Sequence, residues 1–408
     1  MKKPAEPQQT SVASSGRFYV PQLDGLRFIA FLLVFAHHGQ RLSNLLSSGS
    51  IGRSVLDFLE RRGWFGVDLF LVLSAFLITS LLLIEYDRHR NISLRGFYMR
   101  RILRIWPLYY LMTMVGFFLL PWLSLFAMPL HSPQHAQLMN EHFLAYCTLF
   151  GNYSSAKYNS PHVETLSHLW TVTLEEQFYL VWPLVLTLLL RLRRGIVWGV
   201  LSAMLIGTIS YRMHLIGKAP HPYIWMNTLA RLDPLIVGIA IAFWRHRHPA
   251  NAGWAIASLK FLLGVGVIAS TNWGPEIQTQ SRHIGWQFLA TATGCGLALD
   301  AILSRNRNPL AWVFGCRPLV WLGKLTYGLY VYHLLGMEIA GELTRFLQDR
   351  HILTTPSTGM VLNTVFALLI TIAIAAESYR LFESFFLRLK DRFSRIKSRP
   401  VGEATAKS

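Results

Sequence analysis

Long apolar segments separated by short polar loops make up most of this 408-residue chain. About 20 mainly apolar residues in a row are enough for a helix to cross a bilayer. Ten segments have this character, over residues 23–41, 63–84, 104–126, 168–190, 195–213, 225–244, 254–272, 283–303, 321–341 and 359–383. A shorter apolar stretch at 143–150 is predicted to lie at the membrane surface. The pattern therefore predicts an all-α, polytopic integral membrane protein with about ten transmembrane helices.

Composition and charge support this interpretation. Hydrophobic residues make up 52% of the chain and charged residues 15%, which excludes an ordinary soluble domain. The loops on one predicted side of the membrane hold more than twice as many Lys and Arg residues as the loops on the other side. Because positive residues favour cytoplasmic loops, both termini are predicted to be cytoplasmic. The net charge of +18 is spread over separate short loops, so it favours contact with anionic membrane lipid and not with nucleic acid.

The chain divides into one membrane domain and two polar ends. Residues 1–22 are polar and rich in Pro and Ser, so they are predicted to form a disordered cytoplasmic tail. Residues 23–385 contain all ten predicted spans, and residues 386–408 are predicted to form a basic cytoplasmic tail. The three cysteines lack the spacing of metal ligands, so no metal site is predicted.

The first predicted span places an arginine and a histidine on one face. Arg27 and His38 are separated by ten residues, and eleven steps of about 100° return to the same face of a helix. The two side chains lie about 16 Å apart along the helix axis, roughly half the membrane thickness. His37 points about a quarter-turn away. A charge inside a span is costly and indicates function; the alternative is a snorkelling arginine with a hydrogen-bonded core histidine.

A basic loop follows the second span. Arg100, Arg101 and Arg104 fall within about one helical turn at the predicted inner surface, among several aromatic residues. Guanidinium groups bind phosphate well, often through two hydrogen bonds. Together with the aromatic residues they suit a phosphorylated, base-bearing ligand such as coenzyme A. The alternative is an ordinary positively charged cytoplasmic loop.

Several carboxylates are predicted at the depth of the histidine. Counting the rise per residue places Asp68, Glu175 and Glu176 in the outer halves of spans two and four. Five further polar residues on spans four, six and nine are predicted to bind a substrate: Arg231, Asp233, His168, Tyr330 and His333. An imidazole and several carboxylates are thus expected to meet at one level, away from the arginine loop. The alternative is structural ion pairing, for example of Arg231 with a carboxylate.

Six motifs in order resemble the acyltransferase-3 family of integral membrane O-acyltransferases. They run from Leu23 to Glu383: Leu23-Asp-Gly-Leu-Arg27 with His38; Gly66-Val-Asp-Leu-Phe70 with Leu73-Ser-Ala-Phe-Leu-Ile-Thr79; Arg100-Arg101-x-x-Arg104; His168-Leu-Trp170 with Glu175-Glu-Gln-Phe-Tyr179; Arg231-x-Asp233 with Gly238; and Leu322-Gly-Lys-Leu-Thr-Tyr-Gly-Leu-Tyr330 with His333. The chain departs from the family pattern at Ala75, where Gly is usual, and at Phe385, where Pro is common.

The resemblance implies an acyl-CoA donor, acetyl-CoA by default, bound on the cytoplasmic side of a bacterial inner membrane. It also implies a hydroxyl acceptor on a cell-surface carbohydrate or glycolipid, such as O-antigen or exopolysaccharide, reached from the membrane or its outer face. Arg100, Arg101, Arg104 and Arg27 would bind the donor, and His38 would be the essential histidine. We expect a membrane domain without the soluble hydrolase domain that some members append.

Acyl transfer to a hydroxyl requires a base and stabilisation of the oxyanion. His38 is the candidate base, oriented by Asp68, Glu175 or Glu176, with Arg27 on the same face; an acyl-histidine intermediate is the alternative mechanism. Donor and acceptor are expected to approach from opposite sides. A proton-coupled transporter is the rival function, but it predicts inverted repeats that the sequence lacks. A scaffold protein leaves the buried charges unexplained. The oligomeric state is not predicted.

Overall fold

A computed structural model of the chain describes residues 19–123, 132–161, 163–219, 222–248, 253–273, 283–304 and 309–396, except for the side chains of Glu164 and Arg194. Within these ranges the regular elements are all helical, without a strand, so the all-α prediction is confirmed. The predicted N-terminal tail up to residue 18 and the predicted C-terminal tail from residue 397 lie outside the described residues.

The longer helices are numbered here in chain order. They are α1 (Pro21–His38), α2 (Ile51–Arg62), α3 (Phe65–His89), α4 (Leu94–Met114), α5 (Trp170–Leu189), α6 (Arg194–Leu215), α7 (Asp233–Arg247), α8 (Trp254–Asn272), α9 (Ile284–Ile302), α10 (Arg317–Lys324), α11 (Thr326–Asp349), α12 (Pro356–Ser378) and α13 (Ser384–Asp391).

Shorter helical segments connect them. The α-helical ones are Leu120–Trp122, Pro133–Leu138, Leu144–Cys147, Gly151–Tyr158, Glu164–Ser167, Tyr223–Met226 and Pro309–Phe314; 3₁₀ turns occupy Leu42–Leu45 and Thr228–Arg231, and π-helical turns occupy Val115–Leu119, Met139–Phe143 and Tyr379–Glu383. The apolar stretch predicted at the membrane surface falls among these short helices.

Six helical segments of the described chain are long and apolar enough to cross a membrane: Phe65–His89, Leu94–Trp122, Thr165–Leu189, Gly195–Leu215, Trp254–Asn272 and Pro356–Asp391. The other four predicted spans coincide with α1, α7, α9 and α11, which are shorter or more polar. A multi-pass helical architecture is therefore supported, whereas the count of about ten spans is not confirmed. Span six differs most, because a 3₁₀ turn interrupts it just before Asp233.

The start of α1 lies very close to α10, which fixes the position of the first charged motif. A Cβ atom added at Gly323 would collide with the backbone of Asp24, so only glycine permits this approach. At the start of α4, Ser93 Oγ accepts a hydrogen bond from the backbone N–H of Gly96 at 3.2 Å and caps the helix. The first contact holds the start of the Arg27 helix against α10, and the serine cap marks the start of the arginine-motif helix.

Two apolar clusters form the interior. One joins α4, α5 and α11 with parts of α1, α3 and α7, and the other joins the remaining buried residues of α1, α3 and α7 with α9. Apolar side chains on α6, α8 and α12 instead point outward, including Ile206, Leu259, Leu262 and Leu369. Outward-facing apolar residues on long helices are expected where lipid surrounds a protein.

The described C-terminal residues pack against the membrane domain beyond the predicted boundary at residue 385. Residues 386–408 were expected to form a basic tail, but α13 packs against α4 and Ile396 is 8% exposed. The apolar residues of this segment have a partner surface on the domain, which hydropathy along the chain does not reveal. The folded domain therefore extends at least to residue 396.

Candidate active site

A cavity between α1, α3, α4, α5 and α11 brings together charged residues from three of the predicted motifs. Arg27, Arg101 and Arg104 line this space, here called the arginine cavity, together with Glu175. Arg27 also pairs with Asp24, with Nη1 3.3 Å from Oδ1. The sequence correctly predicted that Arg27 lies on the same side as the arginine motif.

Arg100, the third arginine of the motif, turns away from this cavity. Its Nη1 donates to the carbonyl oxygen of Phe393 at 2.7 Å, and its Nη2 lies 3.4 Å from Glu85 Oε2. Adjacent residues on a helix point about 100° apart, so Arg100 is directed away from the arginine cavity, although it lines a neighbouring cavity together with Arg101 and Arg104. Of the three arginines predicted to bind the donor, Arg101 and Arg104 thus line the arginine cavity and Arg100 does not.

Glu175 and Glu176 lie beside the arginine motif, contrary to the prediction that they lie away from it. Tyr179 OH donates to Glu175 Oε2 at 3.0 Å, and the Arg101 guanidinium lies 5.4 Å from the centre of the Tyr179 ring. Trp106, which follows the arginine motif on α4, donates from Nε1 to Glu176 Oε2 at 2.7 Å. The two carboxylates are thus held by donors on the arginine side of the protein.

The depth count fails here because α5 does not begin at the surface. The residues just before it are already buried, with Leu166 and Leu169 both 0% exposed. The helix consequently starts inside the protein, so counting residues from a surface end does not give the position of its first turns. Tyr179 was part of a quoted motif, and its i+4 spacing from Glu175 was the signal that these two side chains interact.

Three histidines converge at the C-terminal end of α1. The ring centres of His38 and His333 are 5.2 Å apart, and those of His168 and His333 are 4.7 Å apart. Among the described residues, no carboxylate bonds to His38. The prediction that Asp68, Glu175 or Glu176 orients this imidazole is therefore wrong, and its ring neighbours are imidazoles instead.

Backbone carbonyls fix the protonation pattern of two of these rings. His38 Nδ1 donates to the Val34 carbonyl at 3.0 Å, and His333 Nδ1 donates to the Tyr330 carbonyl at 2.6 Å. A carbonyl oxygen only accepts, so each neutral ring carries its proton on Nδ1 and its lone pair on Nε2. His333 Nε2 has no hydrogen-bond partner among the described residues, although it is buried. The lone pair of His333 Nε2 is therefore not occupied by a hydrogen bond from the described residues.

Tyr330 connects the histidine cluster to the arginine cavity. Its ring centre lies 5.3 Å from that of His168 and 5.6 Å from that of His333, and its side chain lines the arginine cavity. The hydroxyl groups of Tyr330 and Thr171, which also lines the cavity, are 2.7 Å apart. His38 itself is the last residue of α1 and is exposed, whereas His333 is 0% exposed. Ring contacts through Tyr330 and His333 thus lead from the wall of the cavity to the exposed histidine.

Asp68 and Arg231 form a buried ion pair and do not join the histidines. Arg231 Nη2 donates to Asp68 Oδ1 at 2.6 Å, and both side chains are at most 1% exposed. The Arg231 guanidinium also lies 3.8 Å from the centre of the Phe288 ring. Val67 and Phe70 of the same helix face the arginine cavity, and Asp68 is turned by at least 100° from both. The depth counted from the sequence did not predict this pair, because depth along a helix does not specify the face on which a side chain lies.

A second buried pair went unnoticed in the sequence. Arg212 holds Asp233 through two bonds, Nη1 to Oδ2 at 2.6 Å and Nη2 to Oδ1 at 2.9 Å, and both side chains are 0% exposed. The sequence analysis predicted that Asp233 binds a substrate and assigned no role to Arg212. Arg212 lies at the end of an apolar segment, close in sequence to a predicted intramembrane carboxylate, and this position was the available signal of a buried ion pair.

The model of the acyltransferase-3 family, described as an acyltransferase domain, matches residues 20–376. The chain belongs to the acyltransferase-3 family. Arg27, Glu175, Tyr330 and the three clustered histidines all lie within the matched residues. The family resemblance expected from the six motifs is confirmed, and it favours acyl transfer over the proton-coupled transporter. Together with the six long apolar helices it indicates a multi-pass membrane protein.

Curated relatives carry acetyltransferase names. "Peptidoglycan O-acetyltransferase OatA" of Listeria monocytogenes is 27% identical over 95% of this chain and 60% of its own length. "Putative peptidoglycan O-acetyltransferase YrhL" of Bacillus subtilis is 28% identical over 77% of this chain and 48% of its own length, and a "Putative O-acetyltransferase" of Staphylococcus aureus is 29% identical over 77% and 50%. The chain therefore spans about half the length of these relatives. No solved structure matches the chain significantly.

Proposed function

We propose that this protein is a membrane O-acyltransferase that transfers an acyl group, with acetyl as the first candidate, from an acyl-CoA to a hydroxyl group of a cell-envelope carbohydrate. The observation that carries the proposal is the position of Tyr330 and His333 between the arginine cavity and the exposed His38. In this proposal, the acyl group of a donor held by the arginines and an acceptor bound near His38 meet beside these two side chains. Family membership supports the acyl-transfer chemistry.

The donor's charged part is assigned to the arginine cavity. Arg101 and Arg104 suit phosphate groups, because a guanidinium pairs with phosphate through geometrically matched hydrogen bonds. The cavity wall continues over apolar residues of α3, among them Phe70 and Leu71, towards Tyr330. This apolar wall suits the neutral arm and acyl group of a thioester donor, with the thioester carbonyl directed towards the histidines.

His38 is assigned as the base. Its Nε2 lone pair takes the proton of the acceptor hydroxyl, and the hydroxyl oxygen attacks the thioester carbonyl. The carbon–sulfur bond breaks, and the leaving thiolate receives the proton to give free coenzyme A. The Tyr330 and Thr171 hydroxyls lie on the cavity side of the histidine cluster, and they are assigned to the oxyanion. In the alternative mechanism the same Nε2 attacks first and an acyl-histidine passes the group on.

The acceptor is proposed to reach His38 from the outer side of a bacterial inner membrane, while the donor approaches from the cytoplasm. Tyr19 and Ile396 line one cavity at the arginine side, so both described ends of the chain lie at the end proposed to face the cytoplasm. Peptidoglycan is the first acceptor to test, because it stands in the names of two relatives. O-antigen, exopolysaccharide and glycolipid remain the next acceptors to compare.

The test compares His38→Ala with His37→Ala in proteoliposomes that contain the full chain. The assay measures release of coenzyme A thiol from acetyl-CoA with and without peptidoglycan fragments. Loss of a general base lowers turnover by about 10²- to 10⁴-fold, so we expect this for His38→Ala. His37 Nδ1 instead donates to the Glu60 carbonyl at 3.1 Å, and we expect His37→Ala to stay within a few-fold of the unmodified protein. Equal activity of the His38→Ala and unmodified proteins would exclude this role.

A further inference from the structure

A second cavity adjoins the arginine cavity at the end of the molecule where both described ends of the chain meet. Arg27, Arg101 and Arg104 line both cavities. The second is also lined by residues that follow the family match, which ends at residue 376: Tyr379, Glu383, Leu387, Lys390, Ser394 and Ile396. A stretch outside the family match therefore supplies one wall of the space that leads to the arginines. Residues 384–396 of this stretch are called the C-terminal segment below.

The C-terminal segment is held in place by specific contacts. The Phe393 carbonyl accepts the 2.7 Å hydrogen bond from Arg100, and Arg395 Nη1 lies 3.7 Å from Glu85 Oε1. Ile396 is 8% exposed, so an apolar side chain anchors the segment beyond α13. Arg100, which turns away from the arginine cavity, thus has a clear partner in the wall of the second one.

The second cavity combines cations that have carboxylate partners with cations that do not. Asp24 pairs with Arg27, and Glu85 pairs with both Arg100 and Arg395. By contrast, no ion pair within 4 Å joins the other four cations of its lining to a carboxylate of the described residues: Arg101, Arg104, Lys324 and Lys390. Like charges brought together in partly buried surroundings repel each other, and an anionic ligand between them relieves that repulsion.

We propose that the C-terminal segment completes the phosphate-binding part of the donor site, and that Lys390 binds a phosphate of the donor there. The inference rests on the proposed function, since it places an acyl-CoA in the adjoining cavity. An ammonium on a long, flexible stem binds phosphate as a point charge and complements the planar guanidiniums of Arg101 and Arg104. The docked segment positions α13 so that Lys390 faces the same cavity as these arginines.

The test measures coenzyme A affinity of the purified full chain by isothermal titration calorimetry. Lys390→Gln removes the charge, Lys390→Arg keeps it, and Arg388→Gln removes a charge from an exposed position of the same helix as a matched control. We expect Lys390→Gln to weaken binding about tenfold, which corresponds to about 1.4 kcal/mol. Lys390→Arg and Arg388→Gln should stay within about threefold. Equal affinities of the Lys390→Gln and Arg388→Gln proteins would overturn the inference.

Two further arms separate the possible explanations. An anionic lipid headgroup carries the same phosphate chemistry, so binding is repeated in nanodiscs of phosphatidylcholine with and without phosphatidylglycerol. If Lys390→Gln alters phosphatidylglycerol retention but not coenzyme A affinity, the donor assignment of Lys390 is wrong. Protection of Lys390 in the unmodified protein from an amine-reactive ester by coenzyme A, with exposed Lys218 unprotected, supports it without any substitution. Absence of coenzyme A binding to the unmodified protein would instead refute the proposed donor itself.

Discussion

Replacing Asp68 by Asn tests whether this carboxylate stabilises the fold or serves catalysis. Its 2.6 Å contact with Arg231 is inaccessible to solvent, with side chains 0% and 1% exposed. Removing one partner leaves an uncompensated buried charge, which typically lowers the free energy of unfolding by about 3–5 kcal/mol. The ion pair between Asp57 and Arg61 has a similar 2.7 Å separation, but its side chains are 38% and 49% exposed. Asp57→Asn should therefore cost at most about 1 kcal/mol.

The assay follows unfolding in mixed micelles of a mild detergent and increasing dodecyl sulfate. Asp68→Asn should unfold at clearly lower dodecyl sulfate than Asp57→Asn. The double variant Asp68→Leu/Arg231→Met should recover most of the loss, because replacing both partners by apolar groups leaves no unpaired charge. Turnover per folded Asp68→Asn molecule should stay within a few-fold of the unmodified protein. A loss no larger than that of the control, or no recovery in the double variant, refutes the reasoning.

Two other substitutions probe the site itself. His333→Gln removes the buried imidazole beside His38; we expect transfer to fall about 10- to 100-fold with a changed pH–rate profile, while coenzyme A affinity measured by calorimetry stays unchanged. Unchanged transfer in this variant would exclude the buried ring from the reaction. Trp106→Phe removes the donor to Glu176 and should lower the free energy of unfolding by about 1–3 kcal/mol in the micelle assay. Trp122→Phe, at a residue 71% exposed, is the control and should have little effect.

Local features of the sequence were enough to predict the fold class and the family. Hydropathy over windows of about 20 residues reports the solvent around a helix, so the apolar segments identified the long helices without any tertiary information. Helical periodicity also predicted that residues of one turn lie together, as Arg101 and Arg104 do in the wall of the arginine cavity. The count of spans was less certain, because α1 and α11 include charged residues that only a folded protein can shield.

The partners of the buried charges were decided by the tertiary structure alone. Depth along a span is a one-dimensional quantity, whereas an ion pair also requires two helices to turn the right faces towards each other. Asp68 and His38 were expected at the same depth, yet the face of α3 that carries Asp68 is turned towards Arg231. Glu175 likewise lies in the cavity with the arginines, which the depth count did not predict because the segment before α5 is folded inside the protein.

Apolar length, helical periodicity and ordered motifs are properties of the chain read residue by residue, so they were enough to predict an all-helical membrane protein of the acyltransferase-3 family. The packing of the helices places His38 against His333, pairs Arg212 with Asp233, and makes the C-terminal segment a cavity wall. Each of these contacts joins residues far apart in the chain. Which of them form depends on how the helices tilt, begin and pack, because a buried polar group takes the partner that the packed helices bring within reach.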